Sequence, residues 1–126
     1  YGNEISRTVS DANEIKVPVV LLVNQNSASA SEYVTGAFRD FNKGKIIGTK
    51  TYGKGVGQIT YSFDDNSGIT LTVARYFTPS GDCIHGVGIT PDIVVELSEE
   101  YKNAALDDIP FEKDLQLQKA IEELKK

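Results

Sequence analysis

VVLLVNQNSASASEYV, residues 19–34, is the stretch whose reading decides the fold. Five uncharged apolar residues, Val19, Val20, Leu21, Leu22 and Val23, run up to Asn24, and the small residues Ser27, Ala28, Ser29, Ala30 and Ser31 lead into a helical pattern from Glu32. An apolar run of that length fits a strand covered on both faces, and a helix directly after it is the signature of a parallel-sheet unit. In such sheets ligands and chemistry gather beyond the carboxyl ends of the strands. The serines therefore stand where a substrate would arrive.

Working outward, Lys16 to Asn24 reads as the strand, with Pro18 tolerated near its start because a first residue can lack a ladder donor. The helix after it carries Tyr33, Val34, Ala37, Phe38 and Phe41 on one face and Glu32, Arg39, Asp40 and Lys43 on the other, and Gly44 is placed to end it. Residues 1–14 read as a loop or frayed edge. Lys45 to Gly48 is a short strand, and Thr49 to Gly57 is a glycine-rich loop. Gln58 to Phe63 and Ile69 to Phe77 flank a turn of Asp64, Asp65, Asn66, Ser67 and Gly68, the pattern of a hairpin. In its second strand Arg75 falls on the apolar side of the alternation, so it needs a partner or an exit to solvent. Ile93 to Val95 is a last short strand. An acidic connector over Leu97 to Pro110 leads to a helix over Phe111 to Lys126, with Phe111, Leu115, Leu117, Ile121 and Leu124 inward. The fold class is α/β.

At 126 residues the chain is one domain's worth, and its 40% hydrophobic and 25% charged content is that of an ordinary globular protein. A net charge of -5 without a clustered basic patch argues against nucleic acid as a partner. One cysteine cannot form an internal disulfide. Residues 1–16 lack the apolar core of a signal peptide, and a chain with no methionine reads as a piece of a longer polypeptide.

Serine with lysine is the strongest chemical pairing present. A hydroxyl is a poor nucleophile until a base takes its proton, and a lysine serves only where desolvation brings its pKa down toward neutrality. Lys54 lies in YGKGVG, where glycines let the backbone approach closely and Tyr52 and Val56 could screen the amine. A serine at a strand-to-helix junction has outward-pointing N–H groups beside it and a helix dipole that favours an oxyanion. Spacing alone does not choose among Ser27, Ser29 and Ser31. It also leaves open that the serines are helix caps and Lys54 a solvated loop residue. Cys83 and His85 share a strand face but have no third partner. Asp64, Asp65 and Asn66 lack the glycine and terminal glutamate of a calcium loop. Asp92 reads as a turn residue and Asp107 and Asp108 as a solvated run. Nothing in the chain has the ligand pattern of a metal, phosphate or dinucleotide site, so no cofactor is expected.

The segments VNQNSASASEYVTGAFRD, GTKTYGKGVGQ, LTVARYFTPSG, GVGITPDIVVE and DLQLQKAIEELKK follow in the order and spacing of the carboxyl-terminal processing (tail-specific) serine proteases, which most of the chain from Val17 onward resembles. The resemblance implies a ClpP/crotonase-like mixed sheet with packed helices. It also implies Ser29 as nucleophile, Lys54 of the T-x-G-K-G motif as base, and Gln58 four residues on as the group that orients it. The Ala30 N–H, one residue past the nucleophile, is the local oxyanion donor by position. A protein or peptide substrate and an extracytoplasmic location follow from the same likeness. The family's PDZ module and the glycine-rich strand end that supplies a second oxyanion donor have no counterpart between Tyr1 and Val17. Residues 1–126 are therefore expected to be the nucleophile-bearing, carboxyl-terminal portion of a peptidase domain, with little activity alone and an uncovered apolar face or strand edge that invites self-association. The competing expectations are a non-catalytic scaffold that keeps the protease fold and, more distantly, an acyl-coenzyme A enzyme of crotonase type.

Overall fold

A computed structural model describes residues 7–14 and 16–126. β1 (Val20–Val23), β2 (Lys45–Gly48) and β5 (Ile93–Val94) form a parallel sheet in the order β1-β2-β5. The helix α1 (Ala30–Asp40) is the crossover from β1 to β2 that parallel pairing requires. Ile46 and Ile47, which point to opposite faces of β2, are both fully buried, so the central strand is the one covered on both sides. Around them Val23, Ile84, Ile89, Ile109 and Ala120 complete the core. Asp92 closes the far end as a structural residue, its Oδ2 accepting the Ile46 N–H at 2.8 Å.

β1 corrects the first expectation. Its ladder begins only after Pro18, and Val17, Val19 and Leu22 are exposed. Among the described residues the strand pairs with β2 alone, and the exposure of Val19 and Leu22 shows that charge-free sequence here does not mean cover on both faces.

The hairpin is a separate antiparallel pair, β3 (Val56–Ser62) and β4 (Gly68–Arg75). The Asp65 carboxylate shapes its turn by accepting the Ser67 N–H (3.0 Å) and hydroxyl (2.6 Å). Ile59 opposite Leu71 and Tyr61 opposite Ile69 share one face, yet every residue of both strands except Val56 and Gly57 is exposed. The expected half-buried strand is thus uncovered, because two strands carry no second layer of their own. Arg75 takes the exit to solvent.

The largest correction concerns α1. Glu32, Thr35 and Gly36 are buried, whereas Tyr33, Val34 and Phe41, expected inward, are more than half exposed. Close contact selects the polar side. The Thr35 hydroxyl donates to the Ser31 carbonyl at 2.7 Å, and a Cβ on Gly36 would stand 2.7 Å from Thr78 Cγ2, so only glycine lets the helix approach the 78–82 turn. Asp40 fastens the same contact by accepting the Ser80 N–H (2.8 Å) and Arg39 Nε (2.8 Å), and the guanidinium holds its carboxyl well below the usual range. The helix stops at Asn42 rather than Gly44. Asn42 takes φ 51°, with Asn42 N–H to Arg39 O and Lys43 N–H to Phe38 O, both 3.0 Å, forming a Schellman closure.

At the carboxyl end two single 3₁₀ turns, Leu106–Asp108 and Phe111–Lys113, precede α2 (Leu115–Leu124), which starts later than expected because Asp114 caps it through the Leu117 N–H at 2.9 Å. Its buried residues are Gln116 and Ala120, while Phe111, Leu115 and Leu124 are exposed. Gln116 turns inward because Nε2 donates to the Val95 carbonyl at 2.8 Å, at the end of β5. No described helix is long and apolar enough to cross a membrane.

Candidate active site

β1 delivers the chain into a tight connection that assigns different tasks to the three serines. Ser27 closes the turn, accepting the Asn24 N–H on Oγ (3.1 Å) and donating its own N–H to the Asn24 carbonyl (2.9 Å). Ser31 lies within α1, exposed. Ser29 alone is strained, with φ 57° and ψ -116°. Helix caps ordinarily sit in the β region, and an L-residue held in the left-handed half of the map costs about 1–3 kcal/mol. A strained serine at the apex of a strand–turn–helix is the backbone of a nucleophile elbow, which lifts the hydroxyl clear of its neighbours. Beside it Ala30 is the first residue of α1 and is exposed, and its N–H meets no acceptor among the described residues. That donor is free for a developing oxyanion at the positive end of the helix.

The strain has a measurable consequence. Ser29→Gly and Ser29→Ala both delete the hydroxyl, but only glycine relieves the dihedral. The glycine variant is expected to be more stable than the alanine variant by about 1 kcal/mol in denaturant unfolding.

What holds the elbow is Glu32, whose side chain is fully buried. Oε2 accepts the Ser29 N–H at 3.0 Å and the Lys54 N–H at 2.7 Å, while Oε1 accepts the Gly53 N–H and the Thr51 hydroxyl, both at 2.6 Å. The backbone nitrogens of Ser29 and Lys54 thus share one oxygen atom, and two distant segments are clamped within two hydrogen bonds of each other. Thr51 extends the clamp, since its Oγ1 also accepts the Ile89 N–H at 2.7 Å. Gly53, at φ 93°, and Gly55 bring the lysine loop against residues 85–88, where added Cβ atoms would lie 3.0 Å from Gly88 N and 2.7 Å from His85 N. Sequence reasoning set Glu32 on the solvent face. The spacing Ser29-x-x-Glu32 matches a capping box, and that signal could have found it.

Lys54 is half-buried, and its ammonium forms no ion pair among the described residues. Tyr52, expected to screen it, is 69% exposed, its N–H instead donating to the Ser27 carbonyl at 3.0 Å. Gln58 follows a register shift after Gly57, and its Nε2 lies 3.4 Å from Thr72 Oγ1 across the hairpin, a long contact. The fold therefore brings Ser29, the Ala30 N–H and the Lys54 backbone together, with Gln58 at the start of the adjoining hairpin. Cys83 is paired through its main chain with Phe77, and His85 is exposed. No group of three metal-ligating side chains occurs among the described residues.

The chain is 52% identical over 87 residues to a carboxy-terminal-processing protease of Bartonella bacilliformis, covering 68% of this chain and 20% of that one. It is 44% identical over 116 residues to a probable CtpA-like serine protease of Staphylococcus saprophyticus, covering 92% and 22%. Among solved structures it resembles a photosystem II D1 C-terminal processing protease, with TM-score 0.59, 45% identity, and coverage of 64% of this chain and 21% of that one. The chain spans about a fifth of the length of the curated relatives it matches. The α/β fold is the one these proteases share, and the profile of peptidase family S41 matches residues 2–95: the chain belongs to that family.

Proposed function

We propose that this chain is the nucleophile-bearing portion of a serine endopeptidase that cleaves proteins near their carboxyl termini with a Ser29/Lys54 dyad. The strained backbone of Ser29 carries the reading, because an ordinary cap has no use for it. The Lys54 amine takes the proton from Ser29 Oγ as that oxygen bonds to the scissile carbonyl carbon. The carbonyl oxygen, now negative, accepts from the Ala30 N–H. Collapse of the intermediate breaks the C–N bond, and the Lys54 ammonium returns its proton to the departing amine. Water, activated by the same amine, then releases the acyl group from Ser29. Gln58 acts as a positioning residue, exchanging its long contact with Thr72 for the Lys54 amine. The names of the relatives support a polypeptide substrate cut near its end, and the same likeness supports work outside the cytoplasm.

A fluorophosphonate probe is expected to label Ser29 in the full-length protein and to lose that labelling in Ser29→Ala. Absence of labelling, or labelling that survives the substitution, would return the chain to a non-catalytic scaffold. Residues 1–126 alone are expected to cleave an unstructured peptide at least about 100-fold more slowly than the full-length protein. One oxyanion donor contributes about 2.7–4 kcal/mol in comparable sites, and the second one implied by the family lies outside these residues. Ser29-dependent cleavage by this segment within tenfold of the full-length rate would refute that expectation.

A further inference from the structure

We propose that the β3–β4 hairpin is a dimerisation surface, on which a second copy of this chain lies face to face and antiparallel about a two-fold axis. The pairing register divides the hairpin into two unlike faces. Ile59 stands opposite Leu71 and Tyr61 opposite Ile69, with Val73 next along β4. The Phe63 N–H, donating to the Ser67 carbonyl at 2.8 Å, carries the pairing and its alternation one step past β3. These six apolar residues share one face, whereas Gln58 opposite Thr72 and Thr60 opposite Thr70 share the other. Each of the six is 44–54% exposed. A two-stranded pair has no second layer of its own, so any cover for this face comes from outside the hairpin.

The two ends of the face decide what fits it. Arg75 continues the alternation of Ile69, Leu71 and Val73, so it closes the apolar stripe at the base of the hairpin. Asp64 and Asp65 stand at the tip, where Asp65 shapes the turn, and neither Arg75 nor Asp64 forms an ion pair among the described residues. β4 is eight residues long, so its ends stand about 23 Å apart and the two charges cannot meet within one copy. A two-fold axis through the middle of the face brings the Arg75 of each copy to the Asp64 of the other, so the contact is made twice. A membrane or a purely apolar partner leaves both ends unmatched. Half exposed, the six side chains offer on the order of 500 Å² in each copy, and two copies cover about 1,000 Å², where specific interfaces begin. Gln58 lies on the opposite face, so the second copy and the proposed catalytic groups do not compete for the hairpin.

Sedimentation velocity of the full-length protein over a concentration series is expected to show a monomer–dimer equilibrium with a dissociation constant in the micromolar range. Leu71→Asp sets a charge at an exposed position in the middle of the face, and is expected to weaken the dimer at least 100-fold while the far-UV circular dichroism stays unchanged. Arg75→Glu is expected to weaken it at least tenfold by setting like charges together twice, and adding Asp64→Arg to restore it to within threefold. That recovery reads contact between copies alone, because the two positions are too far apart to pair within one chain. A full-length protein that stays monomeric at every concentration, as it would with this face covered by its own upstream residues, overturns the proposal. So does a dimer indifferent to Leu71→Asp, or an Arg75→Glu variant that loses nothing or is not restored by Asp64→Arg.

Discussion

Replacing Lys54 with alanine in the full-length protein is expected to lower kcat by about four orders of magnitude or more, the scale seen when a member of a nucleophile–base unit is deleted. KM should change little. The backbone of residue 54 is held through its N–H by Glu32, and that bond does not depend on the side chain, so the elbow keeps its shape in the variant. Lys54→Arg should give no rescue, because a guanidinium stays protonated and cannot accept the Ser29 proton. The double variant Ser29→Ala/Lys54→Ala should be no slower than either single one if the proposed dyad works as a unit. Steady-state kinetics on a peptide substrate checks all three, and a Lys54→Ala enzyme within tenfold of the unsubstituted protein would leave Ser29 without its base.

Glu32→Ala should produce the largest change in stability, about 3–5 kcal/mol by denaturant unfolding. Four donors converge on this carboxylate, and a methyl group in its place strips the Ser29, Gly53 and Lys54 N–H groups and the Thr51 hydroxyl of the buried acceptor they share. Glu32→Gln keeps the volume but puts an NH₂ where one oxygen stood; at the Oε1 position it confronts the Gly53 N–H, while the Thr51 hydroxyl can turn to accept from it. It should retain the fold while slowing Ser29 labelling by more than its fall in stability explains, because the lost bonds hold the Ser29 and Lys54 backbones together. Comparing the Ser29 labelling rate with the unfolding midpoint across Ala, Gln and Asp separates the two effects. Labelling that follows stability alone would make Glu32 a structural anchor only.

How far such features were legible from the sequence depends on whether local pattern or tertiary closure decides them. The KIIG strand, the hairpin and its turn, and the helix after the serine run all came from local rules, because each is made by neighbours in the chain. The inward face of α1 did not. Periodicity counts apolar residues as inward, but what turned the helix was the Thr51 hydroxyl with the backbone donors of Gly53 and Lys54, and the close approach of Thr78, neither visible in a window around Glu32. The same holds for α2, where Gln116 displaced leucines because the Val95 carbonyl at the end of β5 needed a donor. At the site, position made Ser29 one of three candidates. The family resemblance pointed to Ser29, and in the structure its dihedral angles set it apart from Ser27, which closes a turn, and Ser31, which lies within the helix.

The hydroxyl of Thr51 has one further implication. An amide hydrogen only donates and a carboxylate only accepts, so the sequence Ile89 N–H, Thr51 O–H, Glu32 Oε1 has a single polarity and the rotor at its centre is frozen in one direction. Each link strengthens the next, and the acidic end is the sink that orients them all. Amidating that sink, two links from residue 89, would release the rotor between them, so a change made beneath Ser29 would be felt as slack at the far loop.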